Sequence, residues 1–159
     1  MKKTLSTIFL IIITISSATC SVFSEANPAQ ICDDSDGYYF ETVIEEDTIE
    51  TSLKFSTSSK STVKTKSKTT YYKNHNGQVM WYVKVIGTFE YGNGHANCLK
   101  ASVSAHSKHP SWSVHNKFAT KNKNTASATA TGRHHCCGRV VKTINKTVTL
   151  KCSPSGKFS

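Results

Sequence analysis

The chain has 159 residues, room for one domain and too few for two full cores. Twenty Lys and Arg against ten Asp and Glu leave a formal net charge of +10 at pH 7, which points to an anionic partner. Hydrophobic residues at 37%, with three Pro and eight Gly, exclude collagen-like and Pro/Gly-rich disordered chains and allow a modest core.

The N-terminus reads as a secretory signal. Lys2 and Lys3 precede an apolar run at residues 8–15, too short for the ~20-residue helix that crosses a bilayer. Cleavage fits after Ala18, Cys20 or Ala26. The last is preferred, giving a signal peptide at 1–26, an N-terminal arm at 27–37 and a β domain at 38–159. That cut removes Lys2, Lys3 and Glu25 and leaves the mature chain at +9. A lipid anchor on Cys20 fits poorly, because Ser17-Ala18-Thr19 lacks the apolar residue expected at −3. No later stretch is apolar and long enough to span a membrane, so the mature chain is expected to be secreted, or held at the cell wall. Asp34-Ser35-Asp36-Gly37 in the arm is a fragment of a calcium loop without its distal Glu, and reads as a solvated linker.

The body alternates as strands do. Ile49, Leu53 and Phe55 share one parity against Glu50, Ser52 and Lys54. The strongest strand covers 78–91, where Val79, Trp81, Val83 and Val85 face one way and Met80, Tyr82, Lys84 and Ile86 the other, as a central strand would. Gly87 permits a bulge there. Tyr91-Gly92-Asn93-Gly94 is a hairpin turn signal, followed by Leu99, Ala101 and Val103 on one parity. Trp112, Val114 and Phe118 mark the next strand after Pro110. Ala126, Ala128 and Ala130 then alternate with Ser127, Thr129 and Thr131, small enough to let a neighbouring layer approach. Val140, Ile144, Val148, Leu150 and Cys152 close the chain, interrupted by Lys142 and Lys146 near a sheet edge. Seven or eight short strands and no amphipathic helix give an all-β class. A disulfide-stabilised antiparallel β-sandwich is favoured over a barrel, from which periodicity alone does not separate it.

The string at 81–91, Cys98, the Trp112 strand, the Ala/Thr run and the ending Thr147-Val148-Thr149-Leu150-Lys151-Cys152 resemble small secreted Ser/Thr-rich proteins of Gram-positive bacteria. The likeness covers residues 68–159. It implies export, a sandwich-like fold and a bridge between Cys98 and Cys152, and it carries no activity and no catalytic residue. His134-His135-Cys136-Cys137 departs from that pattern. With the export route favouring oxidised cysteines, Cys32 is expected to pair with Cys136 or Cys137. A bond between the adjacent Cys136 and Cys137 would be strained.

Three chemistries compete for the remaining residues. Lys64, Lys66 and Lys68, if extended, line one face as a cationic rail at about 6.6 to 7 Å intervals, suited to a polyanion. Lysines on an exposed edge strand, placed there against aggregation, are the plain alternative. No aromatics interleave with them, which argues against specific nucleic-acid readout. His95, His134, His135 and Cys136 supply ligand types that Zn²⁺ or copper takes, but along a strand His134 and Cys136 face away from His135 and Cys137. Only a turn, which Gly132 or Gly138 permits, would gather them. His106, His109 and His115 lie close in sequence, yet no GxSxG, HExxH or phosphate-binding loop accompanies them, so neither an enzyme nor a cofactor is expected. The sequence therefore predicts a secreted, non-catalytic binding protein acting on an anionic cell-wall polymer or membrane surface. An exported metal-binding protein and a secreted toxin or antimicrobial factor are the alternatives.

Overall fold

The computed structural model describes residues 37–45 and 61–159; the signal segment, Cys20, Cys32 and the strand expected around Ile49, Leu53 and Phe55 lie outside them. The described residues form seven strands and no helix: β1 (Tyr39–Glu45), β2 (Thr62–Lys73), β3 (Val79–Gly92), β4 (His95–Ser107), β5 (Trp112–Asn122), β6 (Thr125–Cys136) and β7 (Arg139–Lys151). They pair as two antiparallel sheets in chain order, β1-β2-β3-β4 and β5-β6-β7. Each hairpin has its own turn chemistry. Asn74 Oδ1 accepts from the amides of Asn76 and Gln78 at 3.1 and 2.9 Å, closing β2 on β3. Asn93-Gly94 and Cys137-Gly138 each place two successive residues at positive φ, the left-handed conformation that matches strand twist in two-residue turns.

One apolar cluster draws on both sheets. Trp81, Val83, Val85 and Phe89 from β3 meet Ala126, Ala128 and Ala130 from β6 and Val148 and Leu150 from β7, all with almost no exposure. Size complementarity sets how near the sheets come. Trp81 lies on the bare backbone of Gly132, where a Cβ would stand 2.3 Å from Trp81 Cε2; a Cβ at Gly87 would stand 2.4 Å from Phe89 Cε2 and 3.0 Å from Ala126 Cβ. The alanine run thus gives the close approach its small side chains predict, and Gly87 serves that contact. The irregularity in pairing falls one residue later, between Thr88 and Phe89.

A bulge also corrects the reading of β4. Thr88 pairs with Lys100 but Phe89 with Cys98, so Leu99 is an extra residue on its strand. Parity inverts across it: Leu99 is exposed, while Cys98 turns into the core that Ala105 reaches from the other side of the bulge.

At one end Tyr72, Trp112 and Tyr38 interlock, with Tyr72 to Trp112 at 5.2 Å and Tyr38 stacked on Tyr72 at 5.3 Å. Lys142 and Lys146 on β7, the edge of its sheet, reach over the rings of Tyr38 and Phe40 at 5.3 and 4.2 Å. The Ser and Thr richness has a place as well. On the outer face of the second sheet Ser127 bonds Thr149, Thr129 bonds Thr147 and Thr131 bonds Asn145, at 3.1, 2.8 and 2.6 Å.

The expected bridge between Cys98 and Cys152 is absent. Both are buried free thiols, each bonded to a nearby carbonyl, Cys98 to Lys100 at 3.3 Å and Cys152 to Ser153 at 3.4 Å. Cys137 is a third free thiol, which removes its pairing with Cys32; a Cys32–Cys136 pair reaches outside the described residues. Cys136 and Cys137 stand 3.7 Å apart, too far for an S–S bond of about 2.05 Å.

Burial pushes the Cys98 thiol up against the lowering pull of Lys121, and burial with the neighbouring Cys98 pushes Cys152 up as well. Two results follow. Iodoacetamide should modify exposed Cys137 in the folded protein and reach Cys98 and Cys152 only on unfolding, as peptide mapping would show. Their contribution to stability is complete below the unfolded thiol pKa of about 8.5 and declines above it, because the unfolded chain then binds fewer protons than the native one. Urea melts from pH 8 to 10.5 should fall more steeply for the wild type than for Cys98→Ala/Cys152→Ala.

Candidate functional site: a cationic seam

From Ser61 to Ser159 the sequence holds sixteen Lys and Arg and one acidic residue, Glu90. The fold gathers several of these cations where the two sheets meet. β4 and β5 are the sheet edges that the chain joins directly, through a corner in which the amides of Lys108 and His109 both donate to the Met80 carbonyl at 2.8 and 3.2 Å. The two strands then run side by side. Lys117 Nζ donates to the Ala105 carbonyl at 3.3 Å, Lys121 Nζ to the Leu99 carbonyl at 2.7 Å, and the Cys98 amide to the Lys123 carbonyl at 2.6 Å.

The β5 lysines thereby satisfy carbonyls along the outer edge of β4. An ammonium has three donors, so Lys117 and Lys121 each keep two for an anion. Lys123 occupies the β5–β6 turn at φ 49°. Lys100, Lys117, Lys121 and Lys123 are all exposed. The carboxylates that the structure pairs lie elsewhere, Glu41 with Lys73 and Glu45 with Lys84, on β1 to β3. Spacing along the chain does not disclose the seam, because its lysines come from two strands and a turn. Its signal was the near-absence of acid beyond residue 50, which leaves spaced lysines uncompensated.

Lys64, Lys66 and Lys68 do share a face of an extended strand, but β2 lies between β1 and β3, so it is no sheet edge. They pair with Phe89, Gly87 and Val85 and have the parity of buried Tyr72, so they face inward; Lys66 is only 4% exposed. The exposed rail is thus corrected to an inward row. Its end opens on a cavity of about 400 Å³ where Lys64 and Lys66 meet Lys157, Ile44 and Phe158.

The four-residue metal set does not assemble. His134 is buried and stacked on Trp112 at 4.9 Å, His135 projects from the opposite face, and His95 begins β4 opposite Gly92. The turn made possible by Gly138 forms, and pairing to β7 shifts between His134 and His135, yet the two rings still point to opposite faces, His134 onto Trp112 and His135 toward Ser113. Among the described residues no three His, Cys, Asp or Glu side chains converge. His106, His109 and His115 also separate: His106 lies against Tyr82, His109 bonds Ser111, and His115 bonds Ser113. No family model, curated protein or solved structure matches the chain.

Proposed function

We propose that the chain is an exported, non-catalytic binding domain, a β-sandwich that holds an anionic polymer of a cell envelope through the β4–β5 seam. The observation that carries this reading is the row of exposed Lys100, Lys117, Lys121 and Lys123 on β4, β5 and the turn that follows it, in a body with sixteen bases and one acid from residue 61 onward. Edge protection accounts for one hydrogen bond from each of two lysines, and does not account for so large an excess of charge. Multiple weak, exposed cations favour a repeating anion over a single small ligand.

The test is retention on purified cell wall, with and without its phosphodiester polymers, at low salt. Lys117→Ser/Lys121→Ser/Lys123→Ser should lose most retention while melting near the wild type. Lys64→Ser/Lys66→Ser/Lys68→Ser should lower stability, because Lys66 is buried beside Gly87, and affect retention less. Equal retention of wild type and seam variant would overturn the reading, as would binding to anionic lipid vesicles in place of the wall polymer.

A further inference from the structure

Two imidazoles converge on the outer face of the second sheet. Trp112 and His134 point inward, so Ser113 on β5 and His135 on β6 point outward. Pairing between the strands is interrupted after His115, where Asn116 takes φ 49°. His115, two residues on from Ser113 and still in regular register, shares its outward face: Ser113 Oγ lies 2.9 Å from His115 Nε2 and 2.7 Å from His135 Nε2. The two nitrogens are therefore no more than about 5.6 Å apart.

A hydroxyl has a single proton, so Ser113 donates to one ring nitrogen and accepts from the other. One Nε2 already presents its lone pair toward the shared point, and the other does so after a change of tautomer. A late first-row divalent ion takes neutral imidazole at about 2.0–2.1 Å, which places two such nitrogens roughly 3.3 Å apart in a tetrahedral shell. Exposed His115 and half-buried His135, on facing strands, reach that spacing by small rotations of their rings. Oxygen-seeking Ca²⁺ and Mg²⁺ have no carboxylate here.

We propose that His115 and His135 form a two-imidazole site for a late first-row divalent metal ion, with Ser113 Oγ at a third position and water completing the shell. Of the ligand set drawn from the sequence only His135 belongs to it. The basic surroundings weaken binding of any cation, so the site is an exchangeable one.

Ni²⁺ is the probe, because it takes imidazole and does not oxidise Cys137. Calorimetry on the folded chain should give one site. His115→Gln and His135→Gln should each weaken it at least about tenfold, the scale on which supporting groups already act at metal sites. Ser113→Ala should stay within about threefold of the wild type. In the wild type, paramagnetic broadening should strike the ring signals of His115 and His135 before those of His75, His95, His106 and His109. No heat up to millimolar Ni²⁺, binding that survives in the double His variant, a Ser113→Ala loss as large as that of either His variant, or broadening that begins at another histidine would overturn the assignment.

Discussion

Gly132→Ala should destabilise the protein by about 3 kcal/mol or more, the upper range for forcing volume into a packed core. The added Cβ would stand 2.3, 2.6 and 2.7 Å from Cε2, Nε1 and Cζ2 of Trp81, a side chain with no exposure. Trp81 is hemmed in by its own neighbours, so the strain passes to the spacing of the sheets. For a body of this size that corresponds to a fall in Tm on the order of 10 °C.

Gly94→Ala is the control. It meets nothing within 4 Å but sits at φ +78°, so it carries only the conformational penalty of about 1 kcal/mol. A second arm separates steric from general effects. Trp81→Phe alone opens a hole, but in the Gly132→Ala background the smaller ring removes atoms that collide, so the double variant should be more stable than the two single losses predict. Equal melting of Gly132→Ala and Gly94→Ala, or simple additivity with Trp81→Phe, would show that the indole does not rest on Gly132.

What was readable in the sequence was whatever depended on one strand's alternation. Trp81, Val83 and Val85 share the core face of β3, and Ala126, Ala128 and Ala130 are the small residues that oppose it. Alternation fails where a strand gains a residue. Alternation groups Leu99 with Ala101 and Val103, because nothing in residues 96–105 marks the bulge that turns Leu99 out and Cys98 in. The lysines at 64, 66 and 68 show a different failure. Their common face was legible, but which way it pointed depended on Tyr72, and Tyr71 beside it is equally apolar. The meeting of His115 with His135 depends on the register between two strands, which spacing within one strand does not encode.

The seam lysines also set a salt dependence, best measured on duplex DNA, the polyanion whose counterion release is calibrated. If Lys100, Lys117, Lys121 and Lys123 each offset one phosphate, log K should fall against log salt with a slope of about −3.6, a loss of roughly 10²-fold between 50 and 200 mM. Two duplexes of unrelated sequence should bind alike, because phosphate contacts carry no base information. Lys117→Ser/Lys121→Ser/Lys123→Ser should reduce the slope by nearly three, one increment of about 0.9 for each lysine removed. The fold should tolerate this. The carbonyls of Ala105 and Leu99 that lose a lysine lie at a sheet edge, where water replaces the donor, and surface changes usually move stability by no more than about 0.5 kcal/mol. An unchanged slope in the triple variant would place the phosphate contacts elsewhere. The inward cavity of Lys64, Lys66 and Lys157 is then the next place to remove charge, with Lys157→Ser the first variant because that lysine is exposed.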